Sequence, residues 1–587
     1  MGRKTKGAIM RKLIIWSLVG LVSVPTGYFV QRNLRYASFR DIGVKEGAWY
    51  DVRMYGAIAG DQISDVSAFQ AAADSIAADG GGTLFFPPGQ YEFYGDSLRV
   101  YSNTTISAYG AVFNDTTGGK QFIFIDGDSD IVISGGEFDG NADNDGGYTE
   151  FDHGISAQDA FRITIQDVFI HNMAGDGIYF ADVDHSTISN VKIEAVNVNA
   201  SGPQIGRNGI AIVEGSHNVI SNPIIKGGLP AGIDLEANAG LTVSYIEIVN
   251  PDIRDSHLAG INMQGTASGS SITNITITGG SVNCAIGTVV GIRADSVYDW
   301  LINGVNVSGS TSHGIYVLDN TDDGSIKNCK VHNGAAKGIV TLEGCRNITF
   351  ENNDVYENLQ DGFRLDGASG SENLYFTLSD NRVWDNDSGN TSVFSGIWIE
   401  YADSLHMSGN FSFDTQADPT QVFGYDLDNC DLLHFDLSNQ GYGNESRLFN
   451  ITNVTKLSQG GVQTYFWTQD NIAQGQTNQV TRLGSAASAW EIVMPFDCRV
   501  IGWSIASSDT VDTDTITVNI MSNGVAIGES MNINATSAVR YNDEQFIDDD
   551  LAGRLFSEGD RIGVLYTSGG SLAPTTLDIV IAVLVRF

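Results

Sequence analysis

Residues 230–265 read PAGIDLEANAGLTVSYIEIVNPDIRDSHLAGINMQG and contain one full period of a repeat. The period begins at Gly232 in Gly-Ile-Asp and starts again at Gly260 in Gly-Ile-Asn, with alternating β-branched and polar residues between them. The same pattern of a glycine, an apolar residue, a variable residue and a small or apolar residue recurs along the chain. Its glycines are at positions 154, 177, 209, 232, 260, 291, 314, 338, 362 and 396.

Each repeat unit of about 23 residues is long enough for three short strands joined by turns. One unit cannot bury its own apolar face, but units stacked about 4.8 Å apart share one continuous interior. Longer units carry loop insertions. The repeat therefore predicts an all-β fold, a parallel β-helix of at least ten coils over residues 49–455.

A distinct block at residues 49–94 precedes the repeat. It holds a Tyr-Gly-Ala turn at 55–57, a Gly-Asp loop at 60–61, and the segment FPPGQY at 86–91. An Asp/Ser cap and helical spacing of apolar residues predict a helix over 64–79. This order of features resembles the opening of pectate-lyase-like proteins. The resemblance implies right-handed winding, in line with the general preference for right-handed crossovers, and a helix that caps the stack of strands.

The charge balance limits the partners of the protein. The sequence has 32 Lys+Arg and 70 Asp+Glu, a net charge of −38, and no basic stripe beyond its first dozen residues. This argues against nucleic acid as a partner. A surface rich in uncharged polar residues suits glycans or partners bridged by cations. The five cysteines include no CxxC pair, so neither a disulfide framework nor a structural zinc site is predicted.

Both ends of the chain differ from the repeat. Residues 1–48 join a basic start to an apolar run, and they are interpreted as an attachment segment or a secretion signal. Residues 456–461 are predicted to be a linker. Residues 462–587 show alternating runs broken by turns, which predict an antiparallel β-sandwich of about eight strands. It resembles the jelly-roll domains of phage tail proteins, which implies a homotrimer, with trimerisation or glycan binding as the role of this domain.

Stacking places the variable residue of every Gly-Ile-x-h unit in one outward column, and the residue two positions later in a second column on the same face. These columns mix aromatic, guanidinium and carboxylate groups, which is typical of a groove that binds sugars. The predicted substrate-binding residues are Tyr179, Asn262, Gln264, Tyr316, Arg364, Asp366, Trp398 and Glu400.

Four residues of these columns are the candidates for catalysis: Asp234, Glu236, Arg293 and Asp295. Asp234 and Glu236 lie about 6.6 Å apart along one strand face, a separation that suits the acid and base of a glycosidase. Alternatively, Arg293 or its neighbours His313 and Tyr316 can take the C5 proton of a uronic acid, the first step of a lyase or an epimerase. A purely structural ion-pair ladder and sugar binding without catalysis both stay open.

No cofactor is required by the sequence, and calcium is the one metal with candidate ligands. These are Asp182 with Asp184, or Asp139 with Asp143 and Asp145, although such acidic loops are more often simply solvated. Two motifs of β-helix enzymes are absent from the chain. They are the Gly-His-Gly motif of polygalacturonase-like glycosidases and the Asp-Pro-His-Glu motif of mannuronan epimerases.

Because scaffold motifs are present while these active-site motifs are missing, the favoured function is a phage tailspike or tail-fibre protein. Such a protein belongs to the virion tail, binds other tail or baseplate proteins through its N-terminus, and recognises or depolymerises a host surface polysaccharide. The alternative is a secreted bacterial polysaccharide lyase, epimerase or glycoside hydrolase. A non-enzymatic adhesin on the same scaffold is the third interpretation.

Overall fold

The computed structural model describes residues 48–115, 121–141, 152–194, 207–227, 230–284, 289–389, 391–436, 438–453, 457–460, 462–473, 475–476, 479–480, 482–483, 491–494, 498–507, 514–534, 555–557, 559–571 and 576–586. The predicted attachment segment lies outside this part of the chain except for its last residue. Within the described part, no helix is both long and apolar enough to cross a membrane.

Three stacks of short parallel strands form a β-solenoid, as the repeat predicts. Face 1, which carries the Gly-Ile strands, consists of Leu98–Arg99, Ile123–Asp126, Ile155–Gln166, Ile178–Asp184, Ile210–Ile212, Ala231–Glu236, Ala259–Gln264, Val290–Asp295, Ile315–Val317, Ile339–Thr341, Phe363–Asp366, Ile397–Glu400, Phe423–Asp428 and Arg447–Thr452.

Face 2 follows face 1 in every coil and shares the strand Ile155–Gln166 with it, so that the two faces form one 32-stranded sheet. Its other strands are Trp49–Asp51, Gly82–Phe85, Thr104–Ser107, Ser129–Ser134, Thr187–Ser189, Gly215–Ser216, Val219–Ser221, Thr242–Val249, Ser271–Thr278, Val297–Asn303, Asp322–Lys327, Arg346–Glu351, Asn373–Leu374, Thr377–Ser379, Ala402–Asp403, His406–Ser408, Leu433–Asp436 and Leu457–Gly460.

Face 3 is a separate 14-stranded parallel sheet. Its strands are Gly89–Phe93, Ala111–Asp115, Glu137–Asp139, Phe169–His171, Lys192–Glu194, Ile224–Lys226, Asp252–Arg254, Ser281–Asn283, Asn306–Ser308, Lys330–His332, Asp354–Tyr356, Arg382–Trp384, Phe411–Phe413 and Gln440–Tyr442. The solenoid therefore has the predicted three strands per coil and at least ten coils.

The Gly-Ile pattern is explained by the interior of the solenoid. The isoleucines of successive coils pair in register and are fully buried, as Ile233, Ile261 and Ile292 illustrate. The glycine before each isoleucine faces the backbone of the next coil. A Cβ atom at Gly260 would overlap Cγ1 of Val282 and lie 2.7 Å from the carbonyl oxygen of Gly291. Only glycine leaves room for this approach.

The capping helix comprises Val66–Asp79, after a short 3-10 helix at Val52–Tyr55. It begins two residues later than predicted, and Asp65 makes no side-chain capping bond to it. The Asp65 carboxylate instead accepts hydrogen bonds from the backbone N–H groups of Ile58 (2.9 Å) and Glu92 (3.2 Å). Phe69 of the helix is fully buried and packs against Phe86, with ring centroids 5.0 Å apart. The helix thus covers the N-terminal end of the core.

The C-terminal region is antiparallel, as predicted. One sheet contains Val462–Ala473, Arg482–Leu483, Cys498–Ser507, Leu555–Phe556 and Thr576–Arg586. The other contains Gln479–Val480, Glu491–Val493, Thr515–Ser522, Val525–Asn534 and Arg561–Ser568. Buried residues of both sheets, such as Trp467 and Val564, form one hydrophobic cluster, which makes the pair a sandwich. The strand Leu457–Gly460, within the predicted linker, still pairs with the solenoid.

Candidate functional site

The outward column of face 1 has the predicted register. Asp234 pairs with Asn262, which pairs with Arg293, and Glu236, Gln264 and Asp295 pair alongside them. Arg293 and Asp295 therefore lie two coils beyond the carboxylate pair, as expected. The whole first column from the Tyr179 coil onward is Tyr179, Ala211, Asp234, Asn262, Arg293, Tyr316, Val340, Arg364 and Trp398.

The column is less open to solvent than a free strand face would be. Asp234 and Asn262 are each only 4% exposed, and Val340 is 1% exposed. Most of the predicted residues fall into two polar groups along face 1, with the Arg293 coil between them. We call them the proximal cluster (His153, Asp176, Tyr179, Arg207, Asn208, Asp234 and Asn262) and the distal cluster (His313, Tyr316, Lys337, Asp361, Arg364, Asp366, Trp398 and Glu400).

Asp234 is the titratable group at the centre of the proximal cluster. Burial raises its pKa to about 7, and the nearby charges of Glu236 and Asp176 act in the same direction. The Asn262 amide, which donates a 2.8 Å hydrogen bond to Oδ1, and Arg207 oppose this shift of the pKa. Asp234 is therefore present in both protonation states near neutral pH, as a group that gives and takes protons requires.

Asp176 is a buried partner that sequence reasoning missed. Its side chain is fully buried, and Oδ1 accepts a 2.8 Å hydrogen bond from the backbone N–H of Asn208. Nε of Arg207 lies 3.6 Å from the same oxygen. The other oxygen, Oδ2, has no hydrogen-bond partner among the described residues. The signal was present in the sequence, because Asp176 directly precedes a repeat glycine, Gly177.

His153 occupies the equivalent position one coil earlier. It is only 3% exposed. Its Nδ1 accepts a 3.1 Å hydrogen bond from the backbone N–H of Asp176 and lies 3.3 Å from Oδ2 of that residue. The Tyr179 ring stacks on it, with centroids 4.5 Å apart and planes 4° from parallel. Since Nδ1 accepts, a neutral ring carries its proton on Nε2.

Arg293 and Asp295 form an ion pair between the two clusters. Nη2 of Arg293 lies 2.7 Å from Oδ2 of Asp295, and Nη1 donates a 3.3 Å hydrogen bond to Oε1 of Gln264. Glu236, in register with Gln264, is partly exposed. The guanidinium of Arg293 is thus held by a carboxylate and an amide of its own face. This arrangement matches the structural interpretation of these two residues better than a catalytic one.

Arg364 organises the distal cluster. Its guanidinium is bound to Asp366 and lies 3.7 Å from Glu400 and 3.9 Å from the buried Asp361. It also stacks on Trp398, with Cζ 3.6 Å from the ring centroid. Four of the predicted substrate-binding residues are thereby in mutual contact, while Asp361 was not predicted.

Tyr316 lies two coils before Arg364, beyond the covered Val340. Its ring packs against that of His313, with centroids 4.8 Å apart. Burial lowers the pKa of His313 to about 4, so the ring is neutral at physiological pH.

The calcium site remains a prediction. Asp182 and Asp184 are close in space, since each raises the pKa of a common neighbour, Glu214. Asp143 and Asp145 lie outside the described residues. Across the ranges that the structure does describe, no group of three or more His, Cys, Asp or Glu side chains is arranged to hold a metal ion.

Comparison with known proteins adds partial relatives from Azotobacter vinelandii. Alginate lyase 7 is 24% identical over 209 residues, which cover 29% of this chain and 24% of the lyase. Mannuronan C5-epimerase AlgE5 is 32% identical over 149 residues, which cover 22% of this chain and 15% of the epimerase. The chain therefore spans about a quarter or less of the length of these curated relatives.

Among solved structures, the tailspike protein of E. coli bacteriophage HK620, in a variant complexed with a pentasaccharide, shares the fold. The TM-score is 0.50 at 10% identity, over 92% of this chain and 94% of the tailspike. A family model described as right-handed beta helix region matches residues 98–277 and 259–418. These overlapping matches cover more than half of the 587 residues and confirm the predicted handedness, so the chain belongs to the right-handed β-helix family.

Proposed function

We propose that the protein binds an acidic polysaccharide along face 1 and modifies its uronate units at the proximal cluster. The observation that carries this proposal is the meeting of Asp176, His153, Arg207 and Asp234 at one buried place on the outer side of the solenoid. Buried ionisable groups with shifted pKa values are typical of active sites. The partial relatives named for alginate and mannuronan support the choice of substrate class.

The chemistry follows from the charges and hydrogen bonds of the cluster. Arg207 and the protonated form of Asp234 bind and neutralise the uronate carboxylate, which acidifies the C5 proton. Oδ2 of Asp176 accepts no hydrogen bond from the residues that the structure describes, and Nε2–H of His153 is a donor in the neutral ring. One group therefore takes the proton while the other supplies one. Return of a proton to the opposite side of C5 is epimerisation, whereas cleavage of the C4–O bond with protonation of O4 is elimination.

The experiment is incubation of the full chain with alginate and other uronate polysaccharides in D₂O. C5 deuteration by NMR, unsaturated-uronate absorbance and reducing ends are followed together. Deuteration without cleavage identifies an epimerase, and new absorbance identifies a lyase. Asp176→Asn and Asp234→Asn should each abolish the signal, while Asp252→Asn on face 3 should retain it. Reducing ends without either signal would contradict C5 proton chemistry and return attention to hydrolysis by Asp234 and Glu236.

A second candidate function is attachment of a virion to a host polysaccharide, as a tailspike or tail fibre. The sandwich appended to the solenoid favours it, as does the fold shared with the HK620 tailspike over most of both chains. A homotrimer and attachment through the N-terminus belong to this proposal, and the virion tail is then its location, in place of the extracellular medium. A trimeric molar mass in solution and detection of the intact chain in purified virions would support it. A secreted monomer would exclude it.

A further inference from the structure

The distal cluster contains three buried polar atoms that lack hydrogen-bond partners among the described residues. They are Nδ1 of His313, Oδ2 of Asp361 and Nε1 of Trp398. Each such atom typically costs about 1–3 kcal/mol when left unpaired. Native proteins keep few of them, and a group of them beside the outward column indicates that something else supplies the missing partners.

These atoms belong to one continuous surface. Arg364 links two of them, because it lies 3.9 Å from Asp361 and stacks on Trp398. Lys337 lies between the other two, because His313, Lys337 and Asp361 directly precede the repeat glycines of three successive coils. The Gly314 N–H donates to the Lys337 carbonyl (3.1 Å), and the Gly338 N–H donates to the Asp361 carbonyl (3.0 Å). From the His313 coil to the Trp398 coil there are three intervals of about 4.8 Å, or about 14 Å along face 1. A ligand of this length that carries many polar groups fits the surface, whereas a single small ion does not.

The chemistry of the surface fits an acidic sugar chain. Oδ2 of Asp361 and Nδ1 of His313 can accept hydrogen bonds from sugar hydroxyls, and Nε1 of Trp398 can donate one. Lys337 forms no ion pair within the described ranges, so its ammonium group is available to a uronate carboxylate. Arg364 is different, since Asp366 and Glu400 already hold it. Arg364 therefore orients the Trp398 ring, and Lys337 is the cation that binds the carboxylate of the ligand.

The distal cluster lies on the same column as the proximal cluster. Five coil intervals separate Asp234 from Arg364, a distance of about 24 Å along the axis. We infer that the distal cluster is a second, non-catalytic binding site for the same acidic polysaccharide, which a sufficiently long chain occupies together with the proximal cluster. This inference rests on the proposed function for the identity of the polymer. Simultaneous binding at two sites strengthens binding of the polymer far more than that of short oligomers.

The test is binding of a short oligomannuronate of defined length, and of polymeric alginate, to the full chain by isothermal titration calorimetry. Two oligomers should bind per chain in the unaltered protein and one in Lys337→Ala. The polymer should bind at least ~10-fold more weakly to Lys337→Ala than to the unaltered protein. His313→Gln serves as a second variant, because glutamine carries no charge, like the neutral histidine ring that it replaces. Lys330→Ala on face 3 is the matched control and should change neither value.

Two oligomers per chain in both Lys337→Ala and His313→Gln, with unchanged polymer affinity, would overturn the inference. The outcome is distinguishable from failure of the proposed function. Two-site binding without any C5 chemistry removes the enzyme and keeps the second site. Conversely, C5 chemistry with a single oligomer bound per chain keeps the enzyme and removes the second site. Thermal unfolding of each variant reports whether it has folded.

Discussion

At the scale of single residues, the buried carboxylates decide how the protein responds to pH. Burial raises the pKa values of Asp234 and Asp361 to about 7, well above the ordinary value of an aspartate. A folded chain therefore holds protons that an unfolded chain has already released between about pH 4 and pH 7. Stability from these two groups is complete below the unfolded pKa and is lost as the pH rises through the folded pKa.

The corresponding variant is Asp234→Asn/Asp361→Asn, which keeps both side chains uncharged at every pH. The unaltered protein should lose a few kcal/mol of unfolding free energy between pH 5 and pH 8 through these groups, and the double variant should lose less. Denaturant unfolding at both pH values measures the difference. Asp252→Asn, at a half-exposed carboxylate, is the control. Equal pH dependence in the double variant and the unaltered protein would show that these groups do not titrate as inferred.

The repeat glycine gives a second prediction at this scale. Gly260→Ala should destabilise the solenoid by about 1–3 kcal/mol or more, because the new methyl group meets Val282 and the carbonyl oxygen of Gly291, and that oxygen belongs to the backbone. Gly570→Ala is the control, since no atom lies within 4 Å of a Cβ atom there. Chemical denaturation of both variants makes the comparison. Equal stabilities would contradict the steric explanation of the repeat.

At the scale of elements, stacked side chains tie the coils together. Asn353, Asn381, Asn410 and Asn439 form a buried ladder in which each amide donates to the Oδ1 atom of the next, at 2.7–2.9 Å. Each of these amides also donates to a backbone carbonyl of the preceding coil, as Asn381 does to Phe350. The ladder therefore satisfies polar groups that the turn would otherwise bury unpaired.

Asn381→Ala should lower the free energy of unfolding by more than the loss of the Asn381 side chain alone, because its partners are left unpaired. Nδ2 of Asn353, the backbone N–H of Asn353 and the carbonyl of Phe350 lose their side-chain partner, at about 1–3 kcal/mol for each buried group left unpaired. An exposed ladder of Asn190, Asn222 and Asn250, whose amides bond from coil to coil at 3.0–3.1 Å, provides the control. Its variant is Asn222→Gly, since glycine keeps the positive φ of 50° at that position. Thermal unfolding should show a clear loss for the first and a small one for the second. Similar losses of thermal stability in the two variants would mean that burial does not increase the contribution of an asparagine ladder.

Face 3 carries a ladder of stacked aromatic rings. The Tyr356 and Trp384 rings are 4.3 Å apart and 7° from parallel, and His332 stacks on the other side of Tyr356 at 4.7 Å. Each ring stacks on the ring of the next coil, so the ladder ties successive coils of face 3 together.

The sequence predicted the elements better than it predicted the site. Gly232 and Gly260 marked the coils because the repeat glycine is required by backbone contact, which recurs in every coil and so appears as a period. The register of Asp234 with Asn262 followed directly from it. Asp176 and His153 were missed because their roles depend on contacts between turns of different coils. Both residues directly precede a repeat glycine and so lie outside the two outward columns, and a carboxylate in a turn is ordinarily solvated.

At the scale of the whole molecule, the net charge of −38 acts on any acidic polymer that approaches. Long-range repulsion opposes binding, while Arg207 and Lys337 attract the polymer only at short range. Salt screens the repulsion first, since the screening length is about 30 Å at 0.01 M and 10 Å at 0.1 M. Affinity for alginate should therefore rise between these two salt concentrations, opposite to the trend for a basic protein.

Calorimetry of alginate binding across that range tests this expectation, with a neutral polysaccharide as the control whose binding should be insensitive to salt. Affinity for alginate that falls steadily with salt would mean that the local cations outweigh the charge of the chain. Loss of binding on addition of a chelator would instead indicate that bound calcium bridges the polymer to the acidic surface.

The coil spacing also fixes the separation of the two clusters in discrete steps. The distance between the two polar clusters is not a matter of loop geometry but a whole number of coils, each about 4.8 Å high. Gain or loss of one repeat between the two clusters changes that distance by the height of one coil and leaves the cross-section intact. Duplication or deletion of a repeat can therefore fit the spacing of the clusters to longer or shorter polymers, while the residues of both clusters stay unchanged.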